Sequence, residues 1–109
     1  MPPKIKITKN EIITTALELV RTSGAESINA RAVASALNCS TQPIFSNFES
    51  MEELRASVIF EAYNLYLGFI QNEVESGKYP AYKASGMAYI RFAMDERELF
   101  KLLFMRDRT

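Results

Sequence analysis

Residues 40–48, STQPIFSNF, gather side chains able to read hydrogen-bond patterns. Gln42 and Asn47 each carry a carboxamide that donates and accepts at once, the combination that pairs bidentately with adenine. Ser40, Thr41 and Ser46 add hydroxyls around them. Little else in the chain suggests chemistry. It has no histidine, no metal-spaced ligands, no glycine-rich phosphate loop and no nucleophile beside a base. Glu52 and Glu53 are adjacent on a helix and so diverge. No enzyme is expected and no cofactor is called for. Cys39 is expected to pack as a small apolar residue rather than to act as a redox sensor.

Composition narrows the class. The 109 residues suit one domain, or a small domain plus part of another, and 48% are apolar, enough to build a core. Thirteen basic side chains balance thirteen acidic ones, so total charge points to no partner. The distribution is uneven, because Lys4, Lys6 and Lys9 meet no acid in the first nine residues. A single cysteine fits a reducing compartment. With no apolar stretch of secretory or membrane-spanning length, a cytoplasmic location without membrane contact is expected.

The elements that must position these side chains read as helices. Thr8 and Glu11 form a capping box that starts a helix at Lys9, carrying Ile12, Ile13, Ala16, Leu17 and Val20 at helical spacing. Gly24 is expected to end it in left-handed geometry. Asn29 caps a second helix, Ala30 to Leu37, with Asn38 as the left-handed residue after it. Ser40 is expected to cap a third, making Thr41, Gln42 and Pro43 its first positions, where proline costs little. Ser50 with Glu53 starts a long helix closed by Gly77, about 39 Å at 1.5 Å per residue. Pro80 opens a fifth helix, and Asp95 with Glu98 is expected to cap a sixth ending near Met105. No segment alternates with period two, so the chain is expected to be all-α.

Three residues join the second and third helices, which suits a helix-turn-helix. Ile44 and Phe48 would face the core, leaving Thr41, Gln42, Phe45, Ser46 and Asn47 outward for a major groove. An ordinary helical hairpin fits the spacing equally well.

Residues 12–54 resemble the DNA-binding domain of the TetR family of transcriptional regulators. Gly24, Arg31, Val33, Ala34, Leu37, Ser40, Ile44, Phe45, Phe48, Glu53 and Leu54 stand in the family's order and spacing. The resemblance implies a three-helix DNA-binding domain over 1–49. A linking helix and the N-terminal part of a helical ligand-binding and dimerisation domain follow over 50–109. It also implies a regulator, a repressor relieved by a small-molecule effector, that binds an inverted-repeat double-stranded DNA operator as a homodimer. Asn29 and Arg31 match phosphate-touching positions, Ser40 the cap, and Thr41 and Gln42 the outward pair of the recognition helix. Phe45, Asn47 and Met51 replace a usual tyrosine, histidine and lysine, which weakens phosphate contact. Lys4, Lys6 and Lys9 could compensate as an arm along phosphates. Tyr63, Tyr66, Phe69, Met87, Tyr89, Phe92 and Met94 are candidates for an effector pocket, although their helical spacing also suits core. The family's dimer helices come last, so the chain reads as a fragment or a shortened regulator. The alternative function is a helical protein–protein interaction module that binds no DNA.

Overall fold

The computed structural model describes residues 6–105, so Lys4 lies outside the described residues. Among these, every regular element is helical. Helix α1 spans Lys9–Ser23 and begins with the expected capping box. The Glu11 amide donates to Thr8 Oγ1 at 3.1 Å, and the Thr8 amide donates to Glu11 Oε1 at 3.2 Å. Ile12, Ala16 and Val20 are its buried stripe. Gly24 does end α1, but in a different geometry from the one expected. Its φ of 91° comes with ψ of 165°, an extended region that only glycine enters readily. The chain can thus leave at once into a single 3₁₀ turn, Ala25–Ser27. There the Ser27 hydroxyl donates to Gly24 O at 2.6 Å, with Leu19 O also in reach at 3.0 Å.

Helix α2 covers Ala30–Ala36 and α3 covers Gln42–Asn47. Helix α4 runs Met51–Ser76 and closes at Gly77, which is left-handed with φ 70° and ψ 5°. At its start Ser50 Oγ accepts from the Glu53 amide at 3.2 Å. The Glu53 carboxylate reaches one residue further back, to the Glu49 amide at 3.1 Å, so the second half of the box is displaced. Helix α5, Ala81–Asp95, follows Pro80, whose missing donor is harmless there.

Asp95 does not cap the last helix. It is the final residue of α5, and Glu96 makes the break with φ −125° and ψ 61°. Helix α6, Arg97–Phe100, then continues in wider π geometry over Lys101–Met105.

Helix α5 lies along α4, while α1 rests against α4, α6, α2 and α3. One apolar core results, running from Ile12 and Val20 through Val33, Ile44 and Phe48 to Leu54, Phe92 and Leu99. It is continuous across residue 49. Three ion pairs between distant residues accompany it, Arg21 with Glu96, Arg91 with Glu73 and Lys9 with Glu53. Glu73 is buried, a position a carboxylate occupies only when its charge is matched. The Glu73 hydrogen bond in turn pushes the Arg91 guanidinium above its usual value. No helix among the described residues is long and apolar enough to cross a membrane.

Candidate nucleic-acid interface

Asn29 Oδ1 accepts from the Ala32 amide at 2.8 Å and so caps α2, leaving its Nδ2 as the group that could touch a phosphate. Arg31 projects from the next turn, exposed and without an ion-pair partner among the described residues. At the other end Asn38 adopts φ 54°, the left-handed conformation expected of it. That turn lets the Cys39 amide fold back and donate to Ala34 O at 3.0 Å.

Helix α3 begins one residue later than expected. Thr41 is its cap residue but sits in helical geometry and makes no capping hydrogen bond with its side chain. The Thr41 carbonyl receives the Ile44 and Phe45 amides at 3.1 and 3.2 Å, which moves the first turn forward. Ser40 still contributes, since its Oγ accepts from the Gln42 amide at 3.3 Å. Pro43 is the second residue of α3, inside the first turn where no donor is needed. Ile44 and Phe48 are buried, whereas Gln42, Phe45 and Ser46 are exposed and Thr41 and Asn47 half-buried.

The two carboxamides are not equivalent. Asn47 Nδ2 donates to Pro43 O at 2.7 Å, one turn back on its own helix. The Ser46 hydroxyl likewise donates to Gln42 O at 2.9 Å. Gln42 stands at the head of the helix, and among the described residues its side chain makes no hydrogen bond. Asn47 is therefore tied in place by one of its two N–H donors, and Gln42 keeps its whole carboxamide for a partner.

An open groove of about 780 Å³ runs beside α3, lined by Lys6, Ile7, Asn38, Cys39, Gln42 and Asn47 among others. Lys6 is thus brought to the same concavity as Gln42, although 36 positions separate them in the sequence. Ile7 anchors that segment by packing on the core. Lys9 is placed differently: its Nζ lies 3.5 Å from Glu53 Oε1 and 5.0 Å from the centre of the Phe48 ring. Its charge is engaged within the fold. Cys39 is half-buried and borders both core and groove.

One residue of this region carried no sequence signal. Arg55 on α4 donates from Nη2 to Ile28 O at 3.2 Å, just ahead of the Asn29 cap. Only the folded path brings a cation 27 residues away onto that carbonyl.

Of the residues considered for an effector pocket, Tyr66, Phe69, Tyr89 and Phe92 pack together with Phe100 and Phe104 in an aromatic cluster. Tyr66 lies 5.1 Å, centre to centre, from both Phe92 and Phe104, and Phe69 lies 5.2 Å from Phe92. Tyr89 meets Phe100 at 5.0 Å and Phe104 at 5.2 Å. These are contact distances for tilted and edge-to-face rings, so the rings fill one another's space. Tyr63 sits at the cluster's margin, Met87 is half-buried, and Met94 turns outward at 76% exposure.

Comparison of the chain with protein-family models, with curated proteins and with solved structures gave no match.

Proposed function

We propose that this chain is a sequence-specific DNA-binding transcriptional regulator in which α2, its turn and α3 act as a helix-turn-helix. The observation that carries the reading is Gln42. An uncommitted carboxamide stands in the first turn of an exposed short helix, where a side chain can reach base edges in a major groove. Lys6 lines the same groove and Arg31 is exposed on α2, and neither has an ion-pair partner among the described residues. Phosphate contacts of that kind set register, while the amide reads sequence. The resemblance of residues 12–54 to the TetR DNA-binding domain supports the same assignment. It also adds dimeric binding to two half-sites about 34 Å apart.

Repression relieved by a small effector rests on that resemblance alone. The stacked rings of Tyr66, Phe92 and Phe104 would have to part to admit a ligand.

Selection from a randomised inverted-repeat DNA library, with light-scattering mass measured on the same samples, tests the proposal. The expected result is enrichment of one half-site sequence, lost in Gln42→Ala. No DNA retention even at low salt would overturn it in favour of a helical protein–protein module.

A further inference from the structure

The outward face of α3 consists of Gln42, Phe45 and Ser46, its three exposed residues, and spacings of three and four put them on one side of the helix. Ser46 donates its hydroxyl proton to Gln42 O, and a serine at a base edge accepts partners of either kind. Discrimination on this face therefore falls to two side chains. One is the Gln42 carboxamide, which makes no hydrogen bond among the described residues, and the other is the Phe45 ring, 57% exposed.

The charges nearby narrow what such a face can read. No basic residue lies between Arg31 and Arg55, and the charged residues in that interval are Glu49, Glu52 and Glu53. The commonest route to guanine, a bidentate arginine or lysine on O6 and N7, is thus missing from α3 and its turn. Reading cytosine through N4 takes a carboxylate. The nearest, Glu49, lies beyond Phe48, which is extended and outside the helix. Lys6 shares the groove but belongs to the segment ahead of α1, where its point charge suits a phosphate.

We propose that α3 selects two consecutive A·T base pairs, with Gln42 pairing to adenine and Phe45 packing on the C5-methyl group of a thymine one step away. The proposal rests on the DNA-binding reading and names what that site reads. A carboxamide matches adenine N6 and N7, and phenylalanine is among the side chains that meet the thymine methyl. Residues three apart on a helix rise about 4.5 Å, against about 3.4 Å per base pair, so Gln42 and Phe45 reach neighbouring pairs. The exposure of Phe45 then has a use. Its ring lies outside the core that Ile44 and Phe48 join, and covering a methyl group takes both apolar surfaces out of water.

Base analogues placed in the half-site selected from the randomised library test this on the unaltered protein. Deoxyuridine in place of each thymine in turn removes only the methyl group. One such replacement should weaken binding roughly fourfold, the worth of one buried methyl. At the neighbouring adenine, 7-deazaadenine lacks the N7 acceptor and should weaken binding about tenfold. Phe45→Ala should bind the thymine and deoxyuridine sites equally yet still sense 7-deazaadenine, and Gln42→Ala should do the converse. Circular dichroism checks that both variants fold, and the analogue scans on the wild type decide the matter without them. A selected half-site built on guanine contacts, or one indifferent to every deoxyuridine, would overturn the proposal while leaving DNA binding intact. Absence of DNA retention at low salt would overturn both.

Discussion

Arg21 on α1 and Glu96 at the joint between α5 and α6 clasp through two hydrogen bonds, although 75 residues separate them. Arg21 Nε donates to Glu96 Oε1 at 2.9 Å, and Nη2 donates to the other carboxylate oxygen. Arg21 also donates to Glu18 Oε1 at 2.7 Å, so its guanidinium bridges two acids. The hydrogen bond to Glu96 holds the guanidinium above its usual value. The Glu96 side chain is only 13% exposed against 36% for Arg21. Charge-assisted hydrogen bonds contribute about 1.5–3 kcal/mol, and solvent at the Arg21 end reduces this. Arg21→Ala should cost about 1 kcal/mol. In a chain of this size that lowers the melting temperature by roughly 4–8 °C, as calorimetry would measure. A melting temperature within error of wild type would show that the clasp adds nothing.

Gln42→Ala should weaken binding to the selected operator by about 1–3 kcal/mol, roughly five- to 150-fold, and leave non-specific binding unchanged. Asn47→Ala should lose far less discrimination, because its carboxamide already donates to Pro43 O. Fluorescence anisotropy on matched and scrambled sites separates the two. Equal losses for both variants would contradict the asymmetry.

Removing Lys6 should make the salt dependence of DNA binding shallower by about one unit of log–log slope. Lys9→Ala should leave the slope unchanged, since that ammonium faces Glu53 and the Phe48 ring. Titrations at several ionic strengths would detect the contrast.

Asn38→Ala should destabilise the fold by about 1–2 kcal/mol, because a Cβ without a local hydrogen-bonding group disfavours φ 54°. Asn38→Gly should be neutral or slightly stabilising at the same position. Urea melts of the pair isolate the backbone effect, since both remove the carboxamide.

Burial pushes the Tyr66 phenol above its ordinary value near 10. Folding therefore favours the protonated form. Its contribution is complete below that ordinary value and is lost as pH rises through the raised one. Stability should fall on the alkaline side, and Tyr66→Phe should flatten that decline in melts taken from about pH 9 to 11. A parallel decline in the variant would place the cause elsewhere.

Much of the architecture was legible because its signals are local. Thr8 with Glu11, Asn29, Ser50 and Gly77 mark helix ends through atoms a few residues apart, and each does so in the fold. Where a signal competes with another local bond, the reading shifts. Thr41 adopts helical geometry and moves the start of α3, Glu96 rather than Asp95 breaks the chain before α6, and Gly24 leaves α1 extended. For the candidate interface, the residue types were visible, but their availability was not. Only the fold shows that Asn29 Oδ1 and one Asn47 N–H bond to neighbouring backbone while the Gln42 carboxamide does not. Arg55, Glu73 and Arg91 were illegible for another reason. Periodicity reports which face is apolar, not where a long charged side chain ends.

The brevity of α3 has a further consequence. Six residues would not hold a helix alone in water, because nucleation costs more than so few backbone bonds return. Here Ile44 and Phe48 pin the segment to the core, while Ser46 and Asn47 brace its first turn from within. The ordering entropy of this segment is therefore lost during folding rather than at encounter. Whatever meets α3 meets a surface already set. Its affinity reflects the contacts it makes, with little deducted for shaping them.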